Sequence, residues 1–125
     1  MSTPASERAD EVQETTLTTI QMALARTRAR IKAIKTGKVS EAKGTLAEFS
    51  QVRKDLLLHY TNLHAQAFND LNESPAVQTA IDALDNQSVS ARTETKKIKK
   101  LTSGINKFTA VVNRITGIVT GLAAL

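Results

Sequence analysis

The sequence has no cysteine and no tryptophan, only two prolines and five glycines, and just four aromatic residues: Phe49, Phe68, Phe108 and Tyr60. Without cysteine there is no disulfide, no thiol nucleophile and no thiolate metal site. The scarcity of turn formers and aromatics argues against the many short strands of a sandwich or barrel. Histidine is confined to His59 and His64. Five residues apart, they point roughly 140° away from each other around a helix and cannot clamp one metal from one face. Asp55 and His59, four apart, suit an ordinary surface ion pair. There is no Glu-x-x-His of the di-iron bundles, no glycine-rich phosphate loop, no HExxH and no GxSxG. Serine and threonine number 24, but no base is positioned to activate one. The chain reads as a non-enzyme with no metal, no cofactor and no indicated small-molecule substrate.

What is present is helical. The 125 residues are 41% hydrophobic and 23% charged, the composition of one folded domain. Leu17, Ile20, Leu24, Thr27, Ile31 and Ile34 recur in steps of three and four, which predicts a helix over about 6–36. Ser6, or Thr3 before Pro4, serves as its N-cap, and Gly37 stops it. Residues 1–5 are expected to form a flexible N-terminus. A second helix is expected over about 41–72 with Ser40 as N-cap; Phe49, Val52, Leu56, Tyr60, Leu63, Ala67 and Leu71 make its apolar face. It is the candidate central helix. Ser74-Pro75 opens a third segment over about 75–125. The short links predict antiparallel neighbours.

The third segment keeps a seven-residue register from Val77 to Leu122, with Gln87, Ala91 and Glu94 as weak sites in its middle. From Ile98 on it is strong: Ile98, Leu101, Ile105, Phe108, Val112, Ile115, Val119 and Leu122 form a coiled-coil-like interaction seam with β-branched residues at every a position. Thr95, Thr102, Thr109 and Thr116 run beside it. Ala110, Gly117, Gly121 and Ala124 form a second line of small residues for close packing, including one GxxxG. The alternative is a break at 85–88 or at 102–104, where Thr-Ser-Gly argues for a turn. The unbroken register favours one helix of roughly 75 Å. The expected architecture is thus all-α, an elongated antiparallel bundle of three long helices, or of four if the last segment folds back near Thr102–Gly104. If it does not fold back, the C-terminal face needs cover from outside the chain.

The net charge of +5 conceals alternation: −3 over residues 1–16, +6 over 17–44, −4 over 45–90 and +6 over 91–125. These zones are expected to pair with one another, within the bundle or between chains. The alternative is a basic surface for anionic lipid or nucleic acid, built from Arg26, Arg28, Arg30, Lys32, Lys35, Arg92, Lys96, Lys99, Lys100, Lys107 and Arg114. No aromatic accompanies these lysines, which disfavours base stacking. The first 16 residues do not resemble a signal peptide. The apolar stretch Phe108–Leu125 carries Arg114 and is too short to span a bilayer alone. The functional expectation is an interaction or assembly protein that buries its C-terminal heptads against another copy or a helical partner. Membrane-surface or pore-forming activity is the alternative, and nucleic-acid binding the third reading. The expected location is cytoplasmic, or exported without a cleaved signal, with peripheral membrane association as the companion of the membrane reading.

Overall fold

The computed structural model describes residues 3–125. These form four helices and no strand: α1 (Pro4–Lys35), α2 (Thr45–His64), α3 (Pro75–Lys97) and α4 (Ile105–Ala123). Thr3 is the N-cap of α1: its hydroxyl accepts from the Ser6 backbone N–H, and Pro4 follows at the first helical position. Thr3, Pro4 and Ala5 therefore belong to a capped helix start, with Ala5 buried, and not to a loose terminus; Met1 and Ser2 lie outside the described residues. Gly37 follows the last turn with φ 74°, a conformation that suits glycine.

The largest departure from the sequence expectation is the fate of the third segment. It runs through 85–88 without a break and ends at Lys97. Ile98 takes an extended conformation (ψ 125°) that sends its side chain into the core. The turn 98–104 reverses the chain, and α4 returns along α3 with Gly104 as its N-cap. The bundle therefore has four helices, and α4 is covered by its own chain. The second helix is also shorter than expected. It starts after Gly44 rather than Ser40 and ends at His64, so Ala67 and Leu71 lie in a connection over 65–74. Competing polar contacts hold that connection: the Thr3 hydroxyl donates to Leu71 O (2.8 Å), Leu71 N donates to Ser6 Oγ (2.9 Å), and Ala5 N donates to Glu73 Oε1 (2.8 Å). Gln13 Nε2 donates to the carbonyls of Leu63 and Gln66 at the helix end.

Side-chain bridges fix the directions. Gln21 meets Tyr60 and Arg30 meets Glu41, so α1 and α2 form an antiparallel hairpin; Leu84 against Gly121 and Gln87 against Arg114 make α3 and α4 a second. Arg8 reaches Asp82 and Arg26 reaches Ile98, so α1 and α3 run parallel. Phe49 on Phe108 and His59 on Thr116 set α2 parallel to α4. The link 65–74 crosses the bundle diagonally, because α2 and α3 do not touch; the short connection did not make them neighbours. The central helix is not α2. Both α1 and α4 contact all three other helices.

The core layers explain much of the sequence. On α3 the buried residues are Ile81, Leu84, Ser88, Ala91 and Thr95, a face turned one step from the expected heptad seam. Gln87 and Glu94, polar in the expected seam, sit at its edge and receive Arg114 from α4 at 2.6 and 2.8 Å. On α4 the seam is buried as a broad face, widened by Val111 and Ile118. Buried Thr16, Thr27 and Thr95 each donate to the carbonyl four residues back at 2.7 Å, which lets them line an apolar interior.

The small-residue line divides. Gly121 lies against Leu84, whose Cδ2 would be 2.5 Å from an added Cβ, whereas Gly117 faces open space and Ala110 and Ala124 are exposed. Gly117→Ala should therefore stabilise the protein by about 0.5–1 kcal/mol through helix propensity. Gly121→Ala should lose that gain because Leu84 must turn aside, and Gly121→Val should cost about 1–3 kcal/mol by overpacking. Urea denaturation of the three variants checks the order.

Candidate functional site

The turns 36–44 and 98–104 lie together at one end of the bundle. Its interior is organised by Arg30, which projects from the last turns of α1 and is 2% exposed. The guanidinium Nε donates to Lys100 O (2.5 Å), Nη2 to Ser103 O (2.5 Å) and Nη1 to Glu41 Oε1 (2.8 Å). Its carbon lies 4.9 Å from the Phe49 ring centroid and 5.6 Å from that of Phe108; the two rings form an edge-to-face pair at 4.9 Å. Carbonyl dipoles, one carboxylate and two aromatic faces thus replace the water that the cation has lost. Arg26 adds a bond from Nε to Ile98 O (3.2 Å), and Ser103 Oγ accepts from Lys99 N (2.7 Å). The carbonyls of the turn are drawn inward, and the side chains of Lys99, Lys100 and Leu101 are exposed.

This corrects the sequence reading of Arg30, which counted it with the basic surface. A signal for its burial was available. Ala9, Val12, Thr16, Thr19, Ala23, Thr27 and Arg30 recur in steps of three and four, a second stripe of mostly small residues that is buried along α1. Of the other basic candidates, Arg28, Lys32, Lys35, Arg92, Lys96, Lys99, Lys100 and Lys107 are exposed, Arg26 is half-buried, and Arg114 is half-buried on Glu94. Of the seam, Ile98, Phe108, Val112, Ile115, Val119 and Leu122 are buried inside the chain's own bundle, and Ile105 is half-buried. Leu101 is not part of that seam: it sits in the reversing turn, 40% exposed.

The charge zones do not pair as expected. Because α1 and α3 run parallel, their acidic N-terminal halves lie together, and so do their basic C-terminal halves. Level with the Gln21–Tyr60 contact, the half holding the two turns comprises residues 21–60 and 94–115. It carries fifteen of the seventeen basic residues and four of the twelve acidic ones, a net +11 against −6 for the rest of the chain. Three ion pairs join described residues, Arg8–Asp82, Arg30–Glu41 and Arg114–Glu94, and none uses a lysine. Beside the turn 98–104 an open cleft of about 450 Å³ is lined by Ala29, Ala33, Thr36 and Leu101 with Lys32, Lys38 and Lys100.

Elsewhere the polar groups serve packing. His59 Nε2 lies 2.9 Å from Thr116 Oγ1, whose own proton goes to the Val112 carbonyl, so the ring donates to the hydroxyl. Partial burial lowers the His59 pKa below 6.5, and the Asp55 charge partly opposes this. His64 stacks on Tyr60 at 5.9 Å. Among the described residues no three metal-ligating side chains gather, and no helix is long and apolar enough to cross a membrane. Comparisons with protein families, curated proteins and solved structures found no match to this chain.

Two outcomes are expected. Arg30→Met leaves Glu41 and the turn carbonyls without their cation and should cost about 3–5 kcal/mol, against less than about 0.5 kcal/mol for exposed Arg28→Met; urea midpoints report both. For His59, the unfolded chain takes up a proton below pH 6.5 more readily than the folded one, so stability falls as pH falls through that value. Wild type should lose more stability than His59→Gln between about pH 7.5 and about pH 5 in matched melts.

Proposed function

We propose that the chain is a non-enzymatic helical interaction protein that docks a polyanionic partner with its basic end. The observation that carries this reading is the division of charge along the bundle, +11 in one half and −6 in the other. Like charges crowded at one end repel each other, at a cost to the folded state that an anionic partner relieves. Six lysines, Lys35, Lys38, Lys96, Lys97, Lys99 and Lys100, lie exposed near the ends of α1 and α3, spread over a surface wide enough for several phosphates or carboxylates. The coiled-coil-like face of α4 serves the chain's own bundle in this reading. A second copy or a helical partner reaches it only if α4 swings out. Sedimentation at micromolar concentration then reports a monomer, and a dimer would favour exchange of α4 between copies.

Heparin, as a generic polyanion, tests the docking surface. Binding should weaken steeply with salt, and Lys99→Gln/Lys100→Gln/Lys107→Gln should lower the slope of log K against log salt by about two to three. Arg53→Gln/Arg92→Gln/Lys54→Gln removes the same charge from the flanks of the helices and should leave most of that slope. Equal effects of the two triples would reduce the binding to net charge and defeat the reading.

A further inference from the structure

Resting on that reading of the basic end, we propose that its partner is an anionic lipid bilayer, met end-on, with Leu101 entering the headgroup boundary. Four observations converge on this partner. The first is a division of labour between the two basic side chains. Arg26, Arg30 and Arg114 are hydrogen-bonded within the protein, and all ten lysines lie in the half that holds the two turns, without an ion pair. Lysine is a compact, hydrated point charge on a flexible stem, suited to a diffuse layer of headgroups. Arginine is the residue type that reads phosphates and bases in fixed fork geometry. Of the arginines in that half, Arg26, Arg30 and Arg114 are spent on internal bonds, and Arg28 is left exposed.

The second observation is Leu101. It stands 40% exposed next to Lys99 and Lys100 and beside a cleft floored by Ala29 and Ala33. An apolar side chain among lysines gains cover in the boundary layer of a bilayer, whereas a nucleic-acid backbone offers it none. Third, the turn that carries it is held from within by Arg30 and by the Ser103–Lys99 bonds, so Leu101 is presented without loop ordering at the moment of contact. Fourth, the aromatics that would stack on exposed bases are elsewhere: Phe49 and Phe108 are buried around Arg30, Phe68 is buried in the 65–74 connection, and Tyr60 lies on α2 against α1. The negative half of the molecule is repelled by the same surface. The bundle therefore stands with its axis along the bilayer normal, and α4 stays inside the fold.

The absence of tryptophan makes the test direct. Leu101→Trp places a sole reporter on an exposed site, and Leu58→Trp, at a position 58% exposed on α2, is the control. Each is mixed with neutral phosphatidylcholine vesicles, with vesicles also containing phosphatidylserine, and with duplex RNA. The expected result is flotation with the anionic vesicles only, a blue shift of Trp emission there for Leu101→Trp, and none for Leu58→Trp. Each lysine near the surface contributes about fivefold in partitioning, so Lys99→Gln/Lys100→Gln should lower the partition coefficient about 25-fold. Vesicle binding with no shift at Leu101→Trp overturns the proposed contact. Binding to heparin or RNA without binding to anionic vesicles overturns the lipid partner and leaves the basic-end reading standing. Binding to none of the three removes both.

Discussion

The architecture depends on one buried cation. A guanidinium removed from water is tolerated only where its charge and its N–H groups find substitutes. At Arg30 these come from three separate parts of the chain: the carbonyls of the 98–104 turn, the carboxylate of Glu41 after α1, and the rings of Phe49 and Phe108. Arg30 thereby joins both turns at that end to the core between them. In exchange, the carbonyls of Lys100 and Ser103 in the reversing turn gain a charged donor. The apolar seam of α4 then has only one place to go, back along α3 and into the bundle.

That dependence explains why some of the fold was readable from sequence and some was not. The limits of α1 were written locally, in Thr3-Pro4 and in Gly37, and the buried face of α4 was written in its period. The reversal after Lys97 was not, because the seven-residue register continues across it and Ile98 is apolar whether it extends a helix or caps one. What holds the turn that follows is an arginine about seventy residues earlier. The loss of the last turns of α2 has the same character. Ala67 and Leu71 prolong its pattern, yet the hydroxyls of Thr3 and Ser6 bind the Leu71 backbone in a different course. The polar residues Gln87 and Glu94 looked like flaws in a coiled-coil seam. They are the rim partners of Arg114, so the core face of α3 is turned away from them.

The surface was harder to read, since a list of basic positions says nothing about which residues share an end. Four alternating zones suggested mutual neutralisation. The parallel course of α1 and α3 instead puts like beside like, and the three ion pairs named above leave every lysine of the basic half without an acidic partner. The lysine–arginine distinction proved the more informative feature: the arginines that touch backbone carbonyls or rings face inward, and the lysines face solvent.

A body with +11 at one end and −6 at the other carries a large permanent moment along its length. In the field of a charged wall it experiences a torque as well as a pull, and the torque acts at a distance of about one screening length, before any side chain touches. Rotational search is shortened, so a greater share of collisions begins with the correct pole in front. Added electrolyte shrinks that range and returns the molecule to tumbling arrivals, slowing capture even where the final contacts are unchanged.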